Sequence, residues 1–130
     1  MSTSEPNQRS AVLYLRVASA DKHDQDGGIA RQRETCTHEA ERLGAVITGE
    51  YVDAGASGNR RNRSGLRRLL RRIAERPVRY VIVRDRTRLA RNPVDDAAIT
   101  QRVDQAGATL MAVDSGATNP AADELLRRAR

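Results

Sequence analysis

Residues 66–84, LRRLLRRIAERPVRYVIVR, place an amphipathic helix directly before a strand. Large aliphatic residues recur at positions i, i+3, i+4 and i+7 with arginines on the other faces, which predicts a helix with one buried side. The four aliphatic residues are Leu66, Leu69, Leu70 and Ile73. Pro77 ends the predicted helix, and the β-branched run within 79–84 predicts a buried strand. A helix followed at once by a strand is typical of an α/β fold.

The same alternation continues in both directions along the chain. Strands are predicted at 11–17 (AVLYLRV), 45–52 (AVITGEYV) and 108–113 (ATLMAV), and helices at 29–43 and from Asn92 and Pro93 to near Gly107. Asp26 is expected to cap the first of these helices and Gly44 to end it. Strands joined by helices of this length pair in parallel through right-handed crossovers. The sequence therefore predicts a mostly parallel sheet of about four strands with helices on both faces.

The predicted elements form one domain between two polar ends. Residues 1–10 are expected to be a disordered leader, residues 11–113 the domain, and residues 114–130 a linker and the start of a truncated helix. Within the domain, the polar segments 18–28 and 53–62 are predicted to be flexible loops. A chain of 130 residues leaves little room for a second core.

The charge balance indicates a polyanion as partner. The chain has 23 basic and 17 acidic residues, a net charge of +6 and a pI near 10.6, as is typical of proteins that bind nucleic acid. Because biased genomic base composition also enriches arginine, charge alone leaves this interpretation open. Aromatic residues make up only 2% of the chain, which disfavours binding of single strands by base stacking.

Composition disfavours several other classes of protein. No apolar run approaches the roughly 18 residues needed to cross a bilayer, so neither a membrane nor secretion is expected. The sequence contains one cysteine, Cys36, which is predicted to lie in the core, and two histidines, His23 and His38. An internal disulfide and a zinc site are therefore not expected. A reducing cytoplasmic location fits these features best.

Candidate functional residues follow the predicted strands, and ligands bind at the carboxyl ends of strands in an open parallel sheet. They are Arg16 and Ser19 after the first strand, Asp53, Ser57, Gly58 and Arg63 after the second, and Arg84, Asp85, Arg86, Arg88 and Arg91 after the third. A hydroxyl surrounded by arginines suits phosphoryl transfer, and a DNA backbone provides such phosphates. Taken singly, each residue also has a structural explanation as a turn former, a cap or part of a solvated face.

Five parts of the sequence also occur together in a known order and spacing. They are YLRV at 14–17, Gln32, YVDAGASG at 51–58, RSGL at 63–66 and RLARN at 88–92. Over roughly 11–113 they resemble the catalytic domain of the serine recombinases, the resolvase and invertase family. The resemblance implies that a serine hydroxyl attacks a DNA phosphodiester and forms a 5′-phosphoserine link. It also implies strand exchange by four subunits without a metal or a high-energy cofactor.

The resemblance assigns roles to the candidate residues. Arg16 would lie beside the nucleophile, Gln32 and Asp53 would support it, and Arg63, Arg88 and Arg91 would hold the scissile phosphate. The family motif places its serine at the position of Ala18, and Ser19 follows one residue later. Because side chains alternate along a strand, the hydroxyl of Ser19 is expected to point in another direction. Ser19 is the nearest candidate for the nucleophile, and catalysis is expected to be impaired.

Two functions therefore follow from the sequence. One is a catalytic domain for site-specific DNA cleavage and strand exchange, impaired by Ala18 and by the expected absence of a DNA-binding region. The alternative is a non-catalytic module that pairs with intact recombinase subunits. The expected partners are double-stranded DNA, bound weakly and without sequence preference, and further copies of the chain. A dimer or tetramer is expected if the full dimerisation helix is present.

Overall fold

The computed structural model describes residues 9–17, 22–54, 64–90 and 92–113, so most of the predicted leader and all of the predicted linker and truncated helix lie outside the described residues. The elements are β1 (Ser10–Val17), α1 (Lys22–Leu43), β2 (Val46–Ala54), α2 (Ser64–Glu75), β3 (Tyr80–Val83), α3 (Arg86–Leu89), α4 (Pro93–Gln105) and β4 (Thr109–Ala112). The predicted alternation of strands and helices is confirmed, and α3 is an additional short helix that the sequence analysis did not predict.

The described strands form one parallel sheet in the order β2-β1-β3-β4. β1 pairs with both β2 and β3, so the chain first moves to one side of β1 and then crosses to the other. Ligand sites in such sheets lie in the crevice where the strand order reverses, which here is at the carboxyl ends of β1 and β3. The register places Arg16 opposite Asp53 and Tyr14 opposite Val83. The residues that follow β1 and β3 therefore meet at one edge of the sheet.

The core lies on both faces of the sheet because the side chains of β1 alternate between them. Val12 and Tyr14 pack on the face that α2 and α4 cover, while Leu13 and Leu15 pack on the face that α1 covers. Cys36 of α1 is buried in this second cluster, as the sequence predicts. The predicted fold class, a parallel sheet with helices on both faces, is confirmed.

α1 is longer than the sequence predicts. It begins at Lys22 rather than Ile29, so part of the predicted loop is helical and Asp26 lies within the helix instead of capping it. A Cβ on Gly28 would lie 2.8 Å from Cγ1 of Val17, so the glycine allows this part of α1 to approach the end of β1. Tertiary packing thus overrides the low helix propensity of a glycine-containing segment.

Smaller differences occur at the ends of other elements. β1 begins at Ser10, one residue before the predicted domain, and β2 continues through Ala54 into the segment predicted to be a loop. Gly44 and Gly107 follow the ends of α1 and α4, as predicted, with φ angles of 72° and 83°. These left-handed conformations favour glycine, which explains why the two helices end there.

Two kinds of feature do not occur in the part of the chain that the structure describes. No helix there is long and apolar enough to span a bilayer. No group of three or more His, Cys, Asp or Glu residues in the described ranges is arranged to hold a metal ion.

Candidate active site

Arg16 and Arg88 bind each other at the carboxyl edge of the sheet. Arg16 is next to the last residue of β1, and Arg88 lies in α3, the short helix after β3. Nε of Arg16 donates to the carbonyl oxygen of Arg88 at 3.0 Å, and Nη1 of Arg88 donates to the carbonyl oxygen of Arg16 at 3.3 Å. Two positively charged side chains from distant parts of the sequence are thus held together.

Gln32 fixes the backbone of Arg16. Its side chain comes from α1 and is fully buried. Its Oε1 accepts from the N–H of Arg16 at 3.0 Å, and its Nε2 donates to the carbonyl oxygen of Arg16 at 2.9 Å. The last pair between β1 and β3 is Tyr14 with Val83, so the amide bonds to β1 beyond the point where β3 ends. It satisfies one backbone donor and one acceptor, as a neighbouring strand would.

Asp85 caps α3 and orients Arg88. Its Oδ1 accepts from the N–H of Arg88 at 3.3 Å, and its Oδ2 lies 3.8 Å from Nε of the same residue. The sequence analysis grouped Asp85 with the candidate site residues without separating these roles. The structure shows an N-cap at the start of a one-turn helix, which fixes the backbone that carries Arg88.

Arg86 anchors α3 to α4. Its Nε donates to Oδ2 of Asp96 at 2.9 Å, and its Nη2 donates to Oδ1 of Asp96 and to Oγ1 of Thr100, the latter at 2.8 Å. The hydrogen bonds with Asp96 raise the pKa of Arg86 and lower the pKa of Asp96. The sequence analysis placed Arg86 in the same cluster as Arg88, because sequence alone does not reveal its partner on α4.

Asp53 caps α2 from the neighbouring strand. Its Oδ1 accepts from the N–H of Gly65 at 2.8 Å, and its Oδ2 accepts from the N–H of Leu66 at 3.0 Å and from the hydroxyl of Tyr14 at 2.7 Å. A Cβ on Gly65 would lie 2.7 Å from the carbonyl oxygen of Val52, so only glycine allows α2 to start this close to β2. Of the structural explanations that the sequence offers for the candidate residues, Asp53 shows that of a cap, which joins β1, β2 and α2.

A family match accompanies this geometry. The sequence model described as "Resolvase, N terminal domain" matches residues 11–130. The chain belongs to this family. The resemblance predicted from the sequence is confirmed, and the matched range includes every described element apart from the first residue of β1. No curated protein sequence matches the chain.

Several solved structures share the fold of this resolvase-family domain. The C-terminal catalytic domain of ISC1926 TnpA, an IS607-like serine recombinase, has a TM-score of 0.69 and 27% identity over 80% of this chain and 69% of that chain. A resolvase family site-specific recombinase from Streptococcus pneumoniae has a TM-score of 0.72 and 25% identity over 92% and 89%. The N-terminal catalytic domain of TP901-1 integrase, at 22% identity, has a TM-score of 0.73 over 92% and 98% and shows the fold alone.

The structure brings together part of the predicted site of this resolvase-family domain. Arg16, Gln32 and Arg88 are joined by direct hydrogen bonds. Asp53 lies opposite Arg16 on β2, and its carboxylate bonds to Tyr14 and α2. The predicted positions that lie outside the described residues are Ala18, Ser19, Ser57, Gly58, Arg63 and Arg91. The convergence of the arginines among them with Arg16 and Arg88 on one phosphate stays a prediction.

Proposed function

We propose that this chain is a serine-recombinase catalytic domain that binds a DNA backbone phosphate at the Arg16–Arg88 pair but lacks a correctly placed nucleophile. The observation that supports the proposal most directly is the reciprocal hydrogen bonding of the two arginines at the carboxyl edge of the sheet. Each guanidinium group bonds to the backbone carbonyl oxygen of the other residue, which holds both arginines at one place. An anion at this place would be stabilised by both positive charges. A phosphodiester matches the fork geometry of arginine donors.

The proposed reaction is the one that the resemblance implies. A serine oxygen attacks phosphorus, the 3′ oxygen leaves and takes up the hydroxyl proton, and the 5′ phosphate stays on serine. Negative charge develops on the phosphorane, and guanidinium groups aimed at it stabilise the transition state. We assign this task to Arg16 and Arg88, together with Arg63, which directly precedes α2, and Arg91, which follows α3.

The alternation of β1 supports position 18 as the place for the nucleophile. Leu15 packs on the α1 face, whereas Tyr14 packs on the opposite face. Even-numbered positions of β1 thus share the face of Arg16. By extending the same alternation one residue beyond β1, we propose that the site requires a hydroxyl at position 18 rather than at position 19. A displacement on the order of 1 Å already costs about 100-fold in rate. Ala18 therefore removes the attacking group, and Ser19 is a poor substitute.

The experiment joins the chain, through a dimerisation helix, to a DNA-binding domain and incubates it with labelled substrate DNA. Denaturing electrophoresis then detects protein linked to a 5′ end. The unmodified sequence is expected to form no adduct, and Ala18→Ser is expected to form one. In the Ala18→Ser background, Ser19→Ala should keep the adduct and Arg88→Gln should lose it. An adduct of the unmodified sequence that disappears on Ser19→Ala would identify Ser19 as the nucleophile and contradict the proposal.

The same experiment distinguishes the catalytic function from the second candidate function, a non-catalytic module, which the alanine at position 18 favours. A non-catalytic module that pairs with intact subunits needs no phosphate site. If Ala18→Ser forms no adduct, and the unmodified chain joins mixed oligomers with an active recombinase and slows it, the module replaces the catalytic domain as the function.

A further inference from the structure

The outer face of α2 carries a dense positive charge. The helix reads SGLRRLLRRIAE, with four arginines and one acidic residue, Glu75, at its last position. Its apolar side is buried in the core, whereas Arg67, Arg68 and Arg71 are exposed. The first turn contains no acidic residue. These three side chains are called the α2 arginine stripe below.

The stripe is electrostatically unfavourable for the folded chain itself. Arg71 lies four residues after Arg67 and three after Arg68, and like charges at these spacings destabilise a helix. Binding of a polyanion along α2 would remove this repulsion, so the charge pattern indicates a ligand with regularly spaced negative groups.

The fold places one end of the stripe next to the proposed phosphate site. Asp53 binds the first turn of α2 and lies opposite Arg16 in the sheet. From there α2 runs back to the amino edge, where the N–H of Arg79 donates to the carbonyl oxygen of Ser10 at 2.9 Å. Arg76 and Arg79, which follow the end of the helix, are also exposed.

The spacing of the α2 arginine stripe suits a nucleic-acid backbone. Arg71 lies four residues after Arg67, which at about 1.5 Å per residue is about 6 Å along the helix axis. One strand of B-form DNA carries a phosphate about every 3.4 Å of helix axis, so the stripe corresponds to about two phosphates. Arginines one helical turn apart thus present positive charge on the scale at which the backbone presents negative charge.

We propose that the α2 arginine stripe binds the backbone of duplex DNA beside the phosphate held by Arg16 and Arg88. The inference rests on the proposed function for the identity of the ligand and extends the contact from one phosphate to a segment of the strand. Because contacts to phosphates carry no sequence information, the surface contributes affinity without sequence preference.

The test measures binding of the full chain to a labelled 20-base-pair duplex by fluorescence anisotropy between 50 and 200 mM salt. The variant is Arg68→Gln with Arg71→Gln. The matched control is Arg31→Gln with Arg102→Gln, two exposed arginines on α1 and α4. Each pair lowers the net charge from +6 to +4, because two positive charges are removed. Unlabelled duplex and polyglutamate of equal charge serve as competitors.

Loss of two phosphate contacts is expected to make the slope of log affinity against log salt shallower by about 1.8 in the α2 variant. The ratio of the affinities at the two salt limits should shrink by about tenfold, whereas the control should keep the wild-type slope. The melting temperature of the α2 variant should be no lower than that of wild type, because like-charge repulsion has been removed. This combination distinguishes a binding surface from a structural one.

Equal slopes for the α2 variant and the control would overturn the inference. Displacement of the duplex by polyglutamate as efficiently as by unlabelled duplex would also overturn it, in favour of an acidic protein as ligand. The outcome is independent of the adduct experiment. If Ala18→Ser forms an adduct but the slopes are equal, only the α2 surface fails, whereas a shallower slope without an adduct means that only the proposed catalytic function fails.

Discussion

Gln32 shows how one buried side chain determines the geometry of the candidate site. Its amide bonds to both backbone groups of Arg16, and it is fully buried. The resemblance assigned it a supporting role without saying what it supports. The structure adds that it holds the main chain of β1 at the residue whose side chain contacts Arg88.

Replacing Gln32 by methionine tests this role while keeping the side-chain volume similar. The N–H of Arg16 would lose its acceptor, and a buried polar group without a partner costs about 1–3 kcal/mol. We expect the free energy of unfolding, measured with urea, to fall by about 2 kcal/mol. Gln101→Met on the exposed side of α4 is the control and should change it by less than about 0.5 kcal/mol. Equal effects at the two positions would show that the amide bonds contribute nothing.

Substitutions at Asp53 and Tyr14 distinguish the contribution of the α2 cap to stability from that of the single hydrogen bond between these two side chains. Asn at position 53 offers one acceptor oxygen where the carboxylate accepts three donors, so Asp53→Asn should destabilise the fold by about 2 kcal/mol. Tyr14→Phe removes one donor only and should cost about 1 kcal/mol. Thermal and urea unfolding of both variants provide the comparison. If Tyr14→Phe costs as much as Asp53→Asn, the cap is not the main role of Asp53.

At this scale, the sequence reveals the chemistry of a side chain more readily than its partner. The positive charges of Arg86 and Arg88 are equally visible in RTRL, yet Arg86 bonds to Asp96 and Arg88 to Arg16. One partner of Asp53 is Gly65, which lies twelve residues further along the chain, beyond the reach of local turn rules. Long-range contacts of this kind follow from the docking of elements, which local patterns do not specify.

Among the elements, α3 depends on α4 for its position. It is one turn long, and helices of that length are not stable alone. The bonds from Arg86 to Asp96 and Thr100 attach it to a longer helix that packs on the core. Since α3 also carries Arg88, the Arg86–Asp96 pair supports the candidate site from outside it.

Asp96→Asn should reveal a pH-dependent contribution of this pair. Pairing lowers the pKa of Asp96 below its ordinary value of 3.8, so its stabilisation is present above that value and is lost as pH falls through the lowered pKa. At pH 7 we expect the variant to be less stable by about 1 kcal/mol, and the difference should shrink below about pH 4. Urea unfolding across this range measures it. A difference that stays constant down to pH 2 would contradict the assignment to ionised Asp96.

The elements show where sequence patterns suffice. Helix α2 and strands β1 and β3 were predictable because their apolar residues have a clear period. The start of α1 was not predictable from the sequence. Gly28 has a low intrinsic helix propensity, but its lack of a side chain allows α1 to pack closely on Val17. α3 was not predicted because one turn has too few residues to show a helical period, although Asp85 is a typical N-cap residue.

For the whole molecule, the strand order explains why the candidate residues meet. Alternating strands and helices predicted a parallel sheet, but only the observed order β2-β1-β3-β4 places the ends of β1 and β3 side by side. That arrangement brings Arg16 into contact with Arg88. The sequence alone predicted convergence through resemblance, and the fold supplies the physical cause for these two residues.

The most direct test of a phosphate site at this edge observes the arginine side chains themselves. Nuclear magnetic resonance of the ¹⁵N-labelled full chain resolves the Nε–Hε groups of arginines during titration with a short DNA duplex. We expect the signals of Arg16 and Arg88 to shift in a saturable way, because phosphate oxygens approach their guanidinium groups. The signal of Arg42, paired with Glu39 on α1, should stay in place. Unchanged Arg16 and Arg88 signals in a sample whose anisotropy shows bound DNA would contradict the account.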